Sequence, residues 1–235
     1  MSKIDALVHK LRLDKTRRTL FEALGSDRYS RPSLNDLDRK LEKYFPQRDG
    51  FFVELGANDG FTQSNPYYFE KLRGWRGILI EPIPQLYSQA VRNRPRSRVF
   101  NCACVPFDFE ASSVTMTYAN LMSVVKGGIG DLELESQHID AAEQVQQLQA
   151  YEVSVPTRTL TSILEECGVT RIDLLSLDVE GFESDVLRGL DLERFHPQYI
   201  LIELKYRQNE TEALLAEKYR KIDQLSPHDF LYIYK

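Results

Sequence analysis

Cysteine is scarce in this 235-residue chain, with only Cys102, Cys104 and Cys167. Cys102 and Cys104 alternate along what reads as one strand, too close for an ordinary cross-strand bridge. No C-x-x-C and no histidine pair accompanies them, so the spacings of a zinc site are absent, and reduced thiols in a cytoplasmic protein are expected. No apolar run approaches the roughly 20 residues of a membrane span, and Met1-Ser2-Lys3-Ile4 opens no signal-peptide core. A basic excess is missing too: 30 Lys and Arg stand against 35 Asp and Glu, a net charge of −5, which argues against a nucleic-acid partner. With 12 Gly and 10 Pro there is no low-complexity tract, and a 42% hydrophobic content can fill a sizeable core.

The dinucleotide fingerprint is also absent. Phe51-Phe52-Val53-Glu54-Leu55 reads as a short buried strand, and it breaks into Gly56-Ala57-Asn58-Asp59-Gly60. G-x-G-x-x-G from Gly56 would need glycines where Asn58 and Phe61 stand. A turn carrying Glu54 and Asp59 repels a pyrophosphate and suits a cationic ligand, such as the sulfonium and ammonium of S-adenosylmethionine. A helix is expected over Ser64–Leu72, so this turn joins a strand to a helix, the junction where open α/β sheets bind ligands.

Upstream, residues 2–24 read as an amphipathic helix with Ile4, Leu7, Val8, Leu11, Leu20, Phe21 and Leu24 on its apolar face. Its polar face is basic through Lys10, Arg12, Lys15, Arg17 and Arg18, suited to a membrane surface or an anionic glycan. A second helix is predicted over Ser33–Phe45, capped by Ser33, with Leu34, Leu37, Leu41 and Phe45 buried. Residues 1–48 thus form a helical cap, with a homodimer contact as an alternative use, before a domain over 49–235. Further strands are expected at 77–81, 99–105, 172–178 and 199–203, with helices at 85–92, 160–167 and 210–218. Such alternation implies a mostly parallel sheet covered on both faces. Tyr219–Leu225 and Phe230–Tyr234 close the chain as a hairpin, which must include an antiparallel edge strand. The span 106–158 is too long for a simple connection and reads as an insertion with strands at 114–118 and 152–156, a substrate lid. Gly127, Gly128 and Gly130 offer it hinges. The run Arg92, Arg94, Arg96 and Arg98 reads as a solvated face, with contact to a phosphate or acidic substrate as the alternative.

Three acidic positions carry the chemistry. Glu81 ends the second strand 22 residues beyond Asp59, where a carboxylate accepts from both hydroxyls of a ribose, whether of NAD or of S-adenosylmethionine. Asp178, Glu180 and Glu183 crowd the end of the fourth strand, and Glu203 ends the fifth. Carboxylates so placed require cations, protons or a metal. Asp178 and Glu203 could face one another and hold Mg²⁺ or Ca²⁺, which take oxygen ligands; substrate hydroxyls or a cofactor ammonium would serve equally.

Taken together, F-F-V-E-L-G-A-N-D-G, W-R-G-I-L-I-E-P and I-D-L-L-S-L-D-V-E-G-F-E resemble the FkbM-type family of S-adenosylmethionine-dependent methyltransferases, in order over residues 50–235. The resemblance implies a Rossmann-like class I methyltransferase fold, a seven-stranded mostly parallel sheet with an antiparallel terminal hairpin. It implies methyl transfer to a hydroxyl, often on a sugar or secondary metabolite. Glu54, Gly56, Asn58, Asp59 and Gly60 match the family's cofactor loop, Glu81 its ribose acid, and Asp178 and Glu180 its acidic motif. Asn101 and Cys102 fall where related enzymes touch adenine. Asp178 or Glu180 is then expected near the reaction centre, with Glu203 or His138 as base or partner. Two other readings stand beside it: a scaffold of this fold that binds ligand or partners without catalysis, and an NAD-linked oxidoreductase, disfavoured by the missing glycines.

Overall fold

The computed structural model describes residues 14–235. The first helix, α1, runs over 14–23 and stops at Gly25 (φ +75); the expected residues before Asp14, including Ile4, Leu7, Val8, Lys10, Leu11 and Arg12, lie outside the described residues. Of its expected apolar face, Phe21 packs on Tyr29, but Leu20 and Leu24 face solvent at 58% and 74% exposure. The second expected helix is shorter than its periodicity suggests. A 3-10 turn (Leu34–Asp36) precedes α2 (Leu37–Leu41), and Ser33 caps neither, its hydroxyl donating instead to the Ser64 carbonyl at 3.1 Å.

Next come β1 (Phe51–Leu55), α3 (Tyr67–Arg73), β2 (Arg76–Ile80), α4 (Pro84–Asn93) and β3 (Arg98–Phe100). After them lie β4 (Ala103–Cys104), β5 (Ser113–Tyr118), β6 (Val124–Val125), α5 (Leu132–Gln146) and β7 (Tyr151–Arg158). The chain ends with α6 (Leu160–Glu166), β8 (Leu174–Leu177), α7 (Glu183–Arg188), β9 (Tyr199–Glu203), α8 (Gln208–Leu215), β10 (Tyr219–Gln224) and β11 (Asp229–Tyr234). The main sheet has the order β10-β11-β9-β8-β1-β2-β3. All neighbours from β9 to β3 are parallel, while β11 runs antiparallel between β9 and β10. The reversed strand therefore sits one place in from the edge, and β10 forms the rim. This is the Rossmann-like, seven-stranded class I methyltransferase arrangement.

Alternation along the strands builds two cores. Phe52, Leu79, Leu174, Leu201 and Leu231 face Leu37, Leu41, Phe45, Phe69 and Trp75 on one side. On the other, Val53, Ile78, Leu175, Leu177, Ile200 and Ile202 meet Leu160, Ile163 and Leu164 of α6 and Val186 and Leu187 of α7. Being covered on both faces is why these strands read as continuous apolar runs.

The third strand departs from its expected 99–105 span. It leaves the main sheet after Phe100, and Ala103–Cys104 pair with β7 in a second sheet of order β4-β7-β5-β6. The break at Asn101-Cys102 lets one strand edge serve two sheets. The helix expected from Ser64 begins only at Tyr67, because residues 60–66 turn under the cofactor-type loop and end in Pro66. In the insertion, β5 and β7 pair over six residues and α5 covers the polar stretch. No helix among the described residues is long and apolar enough to cross a membrane.

Candidate active site

The strand ends β1, β2 and β8 open onto a cleft with about 880 Å³ of empty space, roofed by Asn120, Leu121 and Ser123 of the insertion. Gly56 turns the chain there at φ +73, and a Cβ on it would fall 1.9 Å from the Asp178 carbonyl oxygen. Only glycine lets the β1 turn lie against the end of β8. Asn58 follows at φ 49, a left-handed conformation that Asn tolerates. Its amide donates to Glu81 Oε2 at 2.7 Å, and the Ile83 amide donates to Oε1 at 2.8 Å. Each oxygen keeps further acceptor capacity toward the cleft. Burial pushes the Glu81 carboxyl up to about 8, against the opposing effect of those two amides.

Glu54, the acid of β1, is paired from behind by a residue that the arginine run concealed. Arg94 is not solvated but fully buried. Its Nε donates to Glu70 Oε2 at 2.6 Å, and its Nη1 reaches Gly60 O at 3.1 Å, Ser64 Oγ at 3.0 Å and Glu54 Oε2 at 3.4 Å. Burial works against the charge of Glu70, but Arg94, Ser97 and Lys71 hold its carboxyl below the usual range. Glu54, with the longer contact, is pushed up to about 7 by burial despite Arg94. Arg94 therefore fixes the floor of the turn while Glu54 keeps an affinity for positive charge on the cleft side. Beside it, Asn65 Nδ2 donates to Ser176 Oγ at 3.1 Å, and the buried Asn65 Oδ1 has no hydrogen-bond partner among the described residues.

The third group lies across the cleft. Ligand oxygens of Asp178, Glu180 and Glu203 lie within 4.8 Å of one another. Burial and the neighbouring carboxylates raise all three, Glu180 to about 8. Glu180 adopts φ 51, and its Oε2 has no hydrogen-bond partner among the described residues. Lys205 Nζ and His138 Nε2 each stand 3.8 Å away. Glu183 belongs to the backbone: it accepts from the Val179 and Gly181 amides at 3.1 Å each, and burial pushes it up to about 7.

His138 is buried, not the surface residue that a polar helix suggests. Its Nε2 meets the Met122 carbonyl at 2.9 Å, so Nε2 carries the hydrogen, and Nδ1 accepts from the Tyr206 hydroxyl at 3.0 Å. Burial lowers its pKa, which favours this neutral form. Nδ1 thereby ties α5 to the loop after β9, and Nε2 ties it to the turn before β6. Arg207 adds a second tie, donating to Gly128 O at 3.1 Å.

Of the residues singled out in the sequence, Glu54, Gly56, Asn58, Glu81, Cys102, Asp178 and Glu180 line the cleft. Asp59, Gly60, Asn101 and Glu203 stand behind its wall. Asp59 accepts from the Phe61 and Thr62 amides at 2.8 and 2.6 Å, and Asn101 donates to the carbonyls of Glu81 and Pro82 at 2.9 and 2.7 Å. Ser64, Asn65, Arg94 and Tyr206 were not legible as site residues, since none lies in a motif and each gains its partner only from a distant segment.

A family model described as "Methyltransferase FkbM domain" matches residues 54–234. "Methyltransferase 1" of Beauveria bassiana (strain ARSEF 2860) is 30% identical over 160 residues, which is 64% of this chain and 62% of that relative, less than two thirds of its length. Among solved structures, a TehB-like S-adenosylmethionine-dependent methyltransferase from Corynebacterium glutamicum aligns over 97% of this chain and 99% of its own, at 11% identity and a TM-score of 0.43. An RNA methyltransferase from Salinibacter ruber, in complex with S-adenosyl-L-homocysteine, aligns over 86% and 92%, at 11% identity and a TM-score of 0.42. With the family match running from Glu54 to Tyr234, through all three acidic positions of the cleft, this chain belongs to the FkbM methyltransferase family.

Proposed function

We propose that the protein transfers a methyl group from S-adenosylmethionine to a hydroxyl of a sugar, glycan or secondary metabolite. The observation that carries this is the set of acids lining one cleft, Glu54, Glu81, Asp178 and Glu180, with no Lys or Arg among its described lining residues. Such an acidic lining suits a ligand with a ribose diol and positive charge, and disfavours a dinucleotide pyrophosphate.

In this reading Glu81 accepts from the ribose hydroxyls while the Asn58 and Ile83 amides hold it in place. Glu54 and Asn65 take the ammonium, and Gly56, Asn58, Asp59 and Gly60 shape the loop around it. Cys102 flanks the adenine, with Asn101 holding the end of β2 behind it. S-Adenosylmethionine supplies a methyl group already activated by its sulfonium. The protein must then align the acceptor oxygen and take its proton. Glu180 fits the role of general base, because it lines the cleft and burial pushes its carboxyl up to about 8. Asp178 orients the acceptor, and Glu203 acts through its closeness to Asp178 and Glu180. His138 is a positioning residue of the lid, which we assign to 106–158.

A divalent cation is the second reading of the acidic group, since three oxygens within 4.8 Å match the span of a hard, oxygen-liganded ion. The raised proton affinity of the three acids and the ammonium of Lys205, 3.8 Å from Glu180, offset that charge, so Mg²⁺ is not expected to be required. We also infer a cytoplasmic protein, supported by three free cysteines, and a homodimer through the N-terminal helices, supported by exposed Leu20, Leu24 and Leu34.

The test is binding and turnover. S-Adenosylhomocysteine should raise the melting temperature by mass action, and NAD should not. Screening hydroxylated acceptors should then give methyl ethers, in chelator as well as with added Mg²⁺. No shift with millimolar S-adenosylhomocysteine sinks the reading. A shift without turnover on any acceptor favours the non-catalytic scaffold.

A further inference from the structure

A second cleft, with about 1150 Å³ of empty space and open to solvent, lies between α1 and the loop after β1. Lys15, Arg17, Arg18 and Arg92 place four cations on it, against Asp14 and Asp59. Neither acid is free: Asp14 pairs with Arg17 at 2.8 Å, and Asp59 is bound by the Phe61 and Thr62 amides. The Arg18 guanidinium lies 3.5 Å from the Phe61 ring centroid, and that of Arg17 lies 4.3 Å from Tyr29. Stacking of this kind fixes a guanidinium plane and leaves its N–H edge for a planar anion. The Arg18 side chain is only 11% exposed; its Nε makes no hydrogen bond among the described residues, and its ion pair with Glu22 is long, at 3.9 Å. A largely buried guanidinium with so distant a carboxylate gains from a ligand that supplies a closer acceptor. Arg92, exposed on α4, has no partner among the described residues. Thr62 lines both this cleft and the cleft of the candidate active site, so one loop separates them.

We propose that this cleft is an anion subsite for the methyl acceptor, a sugar or small metabolite bearing a carboxylate or phosphate. Arg18 and Arg92 grip the anionic group, and the acceptor hydroxyl is presented past Thr62 toward the reaction centre. The word acceptor rests on the methyltransferase reading; the binding of the anion does not. A chain of net charge −5 with one local cluster of cations selects a small anion over a long polyanion, which the rest of the surface repels.

The experiment is calorimetry on the full chain with D-glucuronate, D-glucose 6-phosphate and D-glucose, each with and without S-adenosylhomocysteine. Both charged sugars should bind, and D-glucose at least about tenfold more weakly. Arg18→Gln and Arg92→Gln should each weaken anion binding by about tenfold, the effect of one charge-assisted hydrogen bond, and leave the thermal shift by S-adenosylhomocysteine in place. Because Arg92 is exposed, its variant reports on binding even if Arg18→Gln unfolds. Equal binding of D-glucose and its phosphate, or undiminished binding by Arg92→Gln, overturns the proposal. Capture by phosphatidylserine vesicles without binding of the charged sugars overturns it as well and gives the cations to a lipid surface. Anion binding that persists where S-adenosylhomocysteine fails to bind supports the subsite and sinks the methyltransferase reading instead.

Discussion

The Asn58 amide donates to Glu81 Oε2 across 2.7 Å, so the turn after β1 and the acid at the end of β2 form a single unit. A second amide, from Ile83, holds the other oxygen at 2.8 Å. Replacing the acid therefore acts twice, on the ligand and on the loop. Glu81→Gln can satisfy only one of the two amides by its oxygen, and should weaken S-adenosylhomocysteine binding by roughly ten- to a hundredfold. Calorimetry measures this, and unchanged affinity would remove Glu81 from the ribose site.

Glu180 tests the proton-transfer assignment. Its carboxyl is pushed up to about 8 by burial and by Glu203, so turnover should rise with pH and level off above about pH 8. Glu180→Gln should lower kcat by roughly 10²–10⁴-fold while S-adenosylhomocysteine still binds. A flat pH–rate profile together with an active Glu180→Gln variant gives the proton to another group.

The buried acids also set how stability depends on pH. Glu54 and Glu183 are pushed up to about 7, and Glu81 and Glu180 to about 8, from an ordinary 4.5. Between pH 4.5 and 8 the folded protein keeps protons that the unfolded chain has released. Their stabilising contribution is complete below the unfolded value and is lost as pH rises through 7 and 8. The melting temperature of the ligand-free protein should fall by about 5 °C or more between pH 5.5 and 8.5. Thermal melts across that range check it, and a rising trend contradicts it.

Arg94 is shared by two buried acids, Glu54 and Glu70. Arg94→Met leaves Glu70 buried without its 2.6 Å partner and should cost about 3–5 kcal/mol. Chemical denaturation gives the number, and a loss below about 1 kcal/mol would mean that water reaches the pair.

Two glycines separate steric from conformational effects. Gly56→Ala meets the Asp178 carbonyl oxygen at 1.9 Å, whereas Gly127, also at positive φ (+80), has nothing within 4 Å of its missing Cβ. Gly127→Ala should cost only about 1–2 kcal/mol from its backbone conformation, while Gly56→Ala should abolish the thermal shift by S-adenosylhomocysteine or prevent folding. Equal losses in the two variants would mean that β1 and β8 do not need this close approach.

The sequence by itself determined the strands and the three acidic strand ends. Phe51–Leu55, the strand before Glu81 and the run before Asp178 are continuous apolar segments ending in an acid, a short-range pattern that burial on both faces of a sheet writes directly into the chain. Gly56 and Asn58 were legible for the same reason, because a tight turn restricts residue type locally. Only the tertiary structure decided what lies behind the turn. Arg94 sits in a run that looks solvated, and its burial depends on Glu54 and Glu70, 40 and 24 residues away. His138 looks like a surface residue until Tyr206, 68 positions later, takes its ring nitrogen. The exit of the third strand at Asn101 was hidden as well, since β7 supplies the pairing that draws Ala103 and Cys104 into the second sheet. A polar or charged group carries no local sign of whether it is buried. That depends on whether a distant segment brings the compensating partner, which makes it a property of the fold alone.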